Sequence, residues 1–327
     1  MKNKALKRIF IALVAIVAAV LIVVGGFSVV ESIVLLPFYA NANVYQETPG
    51  LFTGFTHQGY TLVEEAQVRL ACGYMSNGKA SRIYIMPENG DAYSFVELKY
   101  DTNRDYLEHT GGIAVYGNTV FVTGTTGLDI FSLEDVLDGD GKAILIDQFD
   151  TVVDPAYATV KDDKLYIGSF FREGNYETPL AHRIETPAGD NNTAIMEVYE
   201  LNKDTGLPTS STPCEIYSTP GLVQGMAFTD DNKIIFSTSY GLAASHLLVY
   251  DIDKFTSDGK TLDVNGTSIT ITYIDSSALV DDIKAPPMSE EIIYKDGTVY
   301  ILNESASNKY VFGMFTSGTR IYGYKMK

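Results

Sequence analysis

The hydrophobic pattern divides the chain in two. From Ile9 to Phe27, 19 residues run without a charge. As a helix they span about 28 Å, close to the hydrocarbon thickness of a bilayer. Lys2, Lys4, Lys7 and Arg8 precede the run, and Glu31 is the only charged residue between it and Gln46. Basic residues on that flank place the N-terminus in the cytoplasm and the rest outside, as a single-pass signal anchor in the cell membrane. Ala40-Asn41-Ala42 has a small-x-small cleavage pattern, so a removed signal peptide is the competing reading. It lies well beyond the apolar run, which is itself long for a signal core. The expected organisation is a basic flank at 1–8, a transmembrane segment at 9–30, a linker at 31–46 and an extracytoplasmic domain at 47–327.

After Tyr45 the pattern changes to apolar runs of four to eight residues, separated by Gly, Asp and Asn. They recur in a fixed order, as repeat folds do. Two strands joined by a tight turn read as IAVYGNTVFVTG (113–124), YATVKDDKLYIGS (157–169), MAFTDDNKIIFSTS (226–239) and IIYKDGTVYILNES (292–305). The turn dipeptides Gly117-Asn118, Asp162-Asp163, Asp231-Asn232 and Asp296-Gly297 tolerate hairpin backbone angles. A third strand follows each pair at 128–133, 195–201, 247–252 and 320–326. A fourth follows three of them at 143–149, 214–218 and 268–274. A blurred first copy spans 58–100. Five units of four antiparallel strands describe an all-β propeller, with six blades as the alternative. The last unit lacks a fourth strand, and residues 47–55 are expected to supply it.

Composition narrows the function classes. The chain has 41 Asp+Glu against 24 Lys+Arg, a formal charge of −17. The part beyond residue 44 carries 20 basic against 40 acidic residues. Nucleic acid is therefore excluded as a general partner, because phosphates must be neutralised by Lys and Arg. Two cysteines make neither a disulfide framework nor a four-cysteine zinc site, and Cys72 and Cys214 fall in different blades at different radii. The sequence holds no Gly-x-Ser-x-Gly, HExxH, Walker or CxxC motif. The Asp-rich run at 138–142 lacks the ligand spacing of a calcium loop.

Several segments also resemble a group of bacterial exported or membrane-anchored β-propellers of poorly defined activity. They are His57-Gln58-Gly59-Tyr60, Ser81-Arg82-Ile83-Tyr84-Ile85, His109-Thr110-Gly111-Gly112-Ile113, Val223-Gln224-Gly225-Met226-Ala227, Met288-Ser289-Glu290-Glu291-Ile292 and Asn303-Glu304-Ser305-Ala306-Ser307. Thr110 stands where the group has a branched apolar residue, and Glu291 where it has glycine. The resemblance implies the propeller fold and no established reaction.

Antiparallel blades sort the polar residues. Name the strands A to D from the axis outward. A–B and C–D turns then share one face, the turn face. B–C loops and D-to-A links share the other, the mouth face. The mouth collects the ligand-binding candidates His57, Gln58, His109, Tyr157, Gln224, Tyr240, Glu290, Glu291 and Glu304. The long excursion from Phe171 to Thr193 adds Arg172, Glu173, His182, Arg183 and Glu185. His57, His109 and Glu290 are the candidate ligands should a divalent cation be a cofactor. Blander roles apply as well: the histidines can bond inter-blade turns, and Gln58 and Gln224 can join neighbouring blades. Glu290 and Glu291 are adjacent in one strand, so one carboxylate should face the axis or a neighbouring blade and needs a partner. Two functions follow. One is a binding module for an extracellular small molecule, glycan or protein, with a monomer as the expected state. The other is a propeller hydrolase or lyase using these His and Glu residues. A closing strand at 47–55 would lead the tether in on the turn face, so the mouth is expected to face away from the bilayer.

Overall fold

The computed structural model describes residues 2–90, 92–138, 140–315 and 317–326. Its sheets form a five-bladed propeller of four-stranded antiparallel blades, preceded by one apolar helix. Blade 1 comprises Phe55–Val63, Val68–Met75, Arg82–Pro87 and Ser94–Asp101. Blade 2 comprises Ile113–Tyr116, Thr119–Thr123, Gly127–Ser132 and Asp147–Asp150. Blade 3 comprises Pro155–Lys161, Lys164–Ser169, Ala194–Glu200 and Glu215–Thr219. Blade 4 comprises Val223–Phe228, Lys233–Thr238, Ser245–Asp251 and Leu279–Ala285. Blade 5 takes Ser289–Lys295, Thr298–Asn303 and Arg320–Lys325 from the end of the chain and Ala42–Glu47 from its beginning. The A–B hairpins use the residues the sequence offers: Asp162 and Asp163 both adopt positive φ, at 48° and 60°. Short polar side chains tolerate that region, as the tight two-residue turn requires.

The outer strands depart from the expected ones. The run at 143–149 is divided. Lys142–Ile144 lies parallel to the outer strand of blade 1, and only Asp147–Asp150 completes blade 2. Ala143 buries among Val96, Leu98 and Val136 between the two blades, which draws that half of the run away. The run at 268–274 does not close blade 4. Thr267–Tyr273 pairs in parallel with the outer strand of blade 3, placing Ile269, Ile271 and Tyr273 against Tyr199, Leu201 and Ile216. Blade 4 instead ends in Leu279–Ala285, whose first four residues are exposed and include two aspartates. An edge strand with one face in water needs little apolar surface, so it left a faint pattern in the sequence.

Closure also comes from a different segment. Ala42–Glu47, not 47–55, pairs with Arg320–Lys325, with Ala42 opposite Tyr324 and Glu47 opposite Arg320. The propeller thus begins inside the segment expected as a linker. The seam is held by Arg69 of blade 1, a buried guanidinium. It lies 4.0 Å from the Tyr45 ring centre and 3.8 Å from that of Tyr300. It donates to Glu88 at 3.1 Å and to the Tyr60 hydroxyl at 3.2 Å. Lys295 of blade 5 reaches the same Glu88 at 2.8 Å. A buried cation between two aromatic faces, paired with a carboxylate, ties first and last strands across the ring.

The helix Lys2–Val34 contains Leu6–Val34, 29 residues long and apolar enough to cross a membrane. Leu35 and Phe38 then bury against Ile283, Ala285 and Tyr324 at the seam of blades 4 and 5. Phe38 stacks on Tyr324 at 5.3 Å, toward the turn-face end of strand C. Phe27 meets Phe312 edge-on at 6.1 Å, in the mouth-face loop of the same blade. The helix therefore lies antiparallel to the closing strand, and the chain reverses near Ala40 and Asn41. From Leu6 to Val23 every residue is exposed. That stretch projects beyond the mouth face. The closing strand does begin on the turn face, as expected, with Ala42 opposite Tyr324, but burying Leu35 and Phe38 folds the linker back along the blade, so the helix leaves toward the mouth face instead of away from it.

Candidate functional site

Four of the five innermost strands carry the same irregularity at their mouth-face ends. The register slips by one residue between His57 and Tyr60, Pro155 and Tyr157, Val223 and Gly225, and Ser289 and Ile292. A bulge inserts an extra residue and re-aims the side chains around it. Here it turns Gln58, Gln224 and Glu290 toward one another. It also removes strict alternation from blade 5, so Glu290 and Glu291 are both buried.

Glu291 goes to the axis. Its carboxylate accepts backbone N–H groups from Tyr60 at 2.8 Å, Ile113 at 3.0 Å and Ala158 at 3.1 Å. Those donors belong to the innermost strands of blades 1, 2 and 3, so one side chain from blade 5 ties four blades together. Blade 4 passes so close that a Cβ at Gly225 would lie 2.4 Å from the Glu291 Cα. Burial pushes the Glu291 carboxyl up to about 8, against the pull of its three N–H donors.

Glu290 and Glu304 form a second pair at the floor of a cavity of about 550 Å³. Burial raises both carboxyls, Glu304 to about 7 and Glu290 well above its ordinary 4.5. After burial, repulsion from the Glu304 carboxylate is the next largest cause of the rise at Glu290. Two carboxyls this close hold one proton between them, because both cannot ionise cheaply in a buried site. Amides from two other blades flank the pair: Gln58 Nε2 donates to Glu304 at 2.9 Å and Gln224 Nε2 lies 3.5 Å from Glu290. Lys309 partly offsets the charge, and its ammonium donates to the Tyr74 hydroxyl while sitting over the Tyr74 and Tyr310 rings. His109 lies against Tyr74 at 4.6 Å, and its surroundings together with the Lys309 charge lower its pKa. The excursion after Phe171 forms the far wall with Tyr176, Glu177 and His182. His182 is buried, yet its Nδ1 has no hydrogen-bond partner. Across from it, Tyr240 stands on the rim with Arg172 over its ring at 3.8 Å.

The candidates thus separate. Gln58, His109, Gln224, Tyr240 and Glu304 line the cavity, and Glu290 lies directly behind Glu304. Three do not reach it. His57 is fully buried, its Nε2 bonded to the Pro49 carbonyl and its pKa lowered to about 4 by burial. Tyr157 packs among core residues of blades 3 and 4. Glu291 is spent on the backbone. His57, His109 and Glu290 do not converge, and among the described residues no three His, Cys, Asp or Glu side chains are grouped to hold a metal ion. Cys72 is buried and free, and Cys214 is exposed and free. Lys309, Tyr310 and Tyr176 escaped the sequence reading. They stand in loops with no periodicity, and only the isolation of Lys309 between Lys295 and Arg320 marks it.

No family model matches the chain, and no curated protein matches it. Solved structures of similar shape do exist. An oxidoreductase of the glucose dehydrogenase kind from Thermus thermophilus is 10% identical, with a TM-score of 0.46 over 86% of this chain and 98% of its own. A glutaminyl cyclase of Myxococcus xanthus is 10% identical, with a TM-score of 0.43 over 88% and 95%. The PQQ-bound aldose sugar dehydrogenase of Streptomyces coelicolor is 13% identical, with a TM-score of 0.42 over 80% and 78%. Likeness at this level bears on no residue of the site.

Proposed function

We propose that this chain is a membrane-anchored, extracytoplasmic binding module that holds a small molecule in its mouth cavity. The supporting observation is the convergence of polar groups, the buried Gln58 and His182 among them, on one cavity of small-molecule size. Such pockets typically span about 300–1,000 Å³ and combine apolar walls with a few placed polar groups. Glu304, Lys309 and the open Nδ1 of His182 supply both donors and acceptors. Phe170, Tyr176, Tyr240 and Met288 supply the apolar wall. The fitting ligand has a compact polar head and an apolar portion.

The proton-sharing Glu290–Glu304 pair favours a second reading, general acid–base catalysis on the same ligand. A carboxyl that titrates near 7 exchanges protons readily at physiological pH.

A thermal-shift panel on the full-length protein in detergent tests binding, using sugars, amines, amino acids and short-chain amphiphiles. Binding to the native state raises Tm by mass action, by about 2.7 kcal/mol of stability at a hundredfold excess over Kd. At least one compound class should raise Tm of the wild type and act at least tenfold more weakly on Glu304→Gln and Lys309→Met. Equal responses in all three proteins would refute the site. Conversion of the stabilising compound, with a rate inflection near pH 7 that Glu304→Gln abolishes, would replace binding with catalysis.

A further inference from the structure

The rim of the cavity is apolar in an unusual place. Phe52, Leu107, Tyr176, Leu180, Leu242 and Phe312 are large, exposed and all carried on mouth-face loops. Leu180 is 80% exposed and Phe52 72%. They come from the link between blades 5 and 1, the link between blades 1 and 2, and the B–C loops of blades 3, 4 and 5. Together they surround the opening. The opposite face differs around its axis: its inner turns carry Glu64, Glu65, Asp162, Asp163, Asp230, Asp231 and Asp296, and its exposed apolar side chains, Tyr93, Ile146 and Leu279 among them, stand on the outer links. Clustered exposed apolar side chains on one face of a soluble domain mark a surface that is covered in use.

The helix identifies what covers it. It passes Phe312 at Phe27 and continues, exposed on all sides, beyond the mouth face. From Lys2 the 25 helical residues before Phe27 extend about 38 Å, enough to cross the hydrocarbon of a bilayer. A bilayer around that segment ends at the level of Phe312, on the same side as the apolar rim. Basic side chains around the mouth (Arg172, Arg183, Lys309) are outnumbered by Glu108, Asp154, Glu173, Glu177 and Glu304. The surface therefore has no positive excess to seek anionic lipid, and a zwitterionic headgroup layer suits it better.

We propose that the mouth face docks on the bilayer that holds the helix, with the rim side chains in the headgroup region and the cavity opening onto the lipid surface. This rests on the anchoring reading above, and it narrows the ligand of that site to a lipid or a small amphiphile that partitions into the interface. Apolar side chains with a polar surround suit that layer, where part of each residue is wet and part dry. The acidic turn face then points away from the membrane.

The test uses the full chain with Cys214→Ser, reconstituted in phosphatidylcholine nanodiscs. Single cysteines carrying an environment-sensitive fluorophore replace Leu180, Leu242, Asp163, Asp258 or Val17. Doxyl-labelled lipid is the quencher. Leu180 and Leu242 labels should be quenched at least threefold more than Asp163 and Asp258 labels, and Val17 most of all. If Val17 is quenched and the turn-face labels exceed the rim labels, or all four propeller labels are equally unquenched, docking is wrong while anchoring stands. If Val17 is unquenched, anchoring and docking fall together. A second variant guards against a label artefact: Leu180→Ser with Leu242→Ser should reduce quenching of a label at Phe52 by at least half. No change there would also overturn the proposal.

Discussion

Replacing Glu291 with alanine is expected to lower the melting temperature by roughly 10 °C, the loss of about 4 kcal/mol from a domain of this size. The substitution leaves the N–H groups of Tyr60, Ile113 and Ala158 without their acceptor. Each buried unsatisfied donor costs about 1–3 kcal/mol, and water entering the axis recovers part of it. Glu291→Gln keeps one acceptor oxygen but turns an amide N–H2 toward one of the donors, so about half the loss should remain. Scanning calorimetry of the three proteins at one pH checks the order. A wild-type Tm for Glu291→Ala would mean that the carboxylate does not tie the blades together.

The second large effect is on pH. Burial raises Glu197 and Glu291 to about 8 and Glu304 to about 7, and raises Glu290 as well, against 4.5 for a free glutamate. Between those values the native state binds more protons than the unfolded chain, so stability falls as pH rises. His57 and His182 act in the opposite direction, because burial lowers both from 6.5. The stability they contribute is full above 6.5 and is lost as pH falls, for His57 toward about 4. The two effects offset each other in mildly acid solution, and only the carboxyls remain above pH 6.5. Stability should fall as pH rises from 6.5 to 8.5, at up to ~1.4 kcal/mol per pH unit for each of these carboxyls that is still protonated. Glu197 accepts the Val152 N–H at 3.1 Å. Glu197→Gln retains that bond and removes the proton, so it should flatten the alkaline slope. Urea titrations across the range give the answer. A rising limb from pH 6.5 to 8.5 would contradict the assignment.

The sequence made the inner three strands of each blade legible because their information is local. Turn dipeptides such as Asp162-Asp163 fix each hairpin, and unbroken apolar runs such as Ile234 to Phe236 mark strands buried on both faces. The outer strands depend on distant partners. Ser268–Ile274 reads as a strand on any inspection, but only the apolar surface of blade 3 decides which sheet it joins. Ala42–Glu47 is half exposed and hardly alternates, so nothing near it announces a strand. The site divides in the same way. Gln58, Gln224 and Glu290 recur at equivalent places in the repeat and are visible as a set. The bulge that aims them is not, because an inserted residue preserves the local composition. Lys309 reaches the floor through a loop of no fixed period. The direction of the helix turns on Leu35 and Phe38, two apolar residues whose docking surface is assembled by the far end of the chain.

The central claim is that the mouth cavity is where this protein holds its ligand. A density map of the full-length protein purified from its own membranes tests it most directly, at a resolution that separates ordered water from organic matter. The account predicts a non-protein molecule with its polar head in hydrogen-bond contact with Glu304 and Lys309 and its apolar part against Tyr176 and Tyr240. A cavity holding only water, with an ordered ligand on the turn face instead, would contradict it.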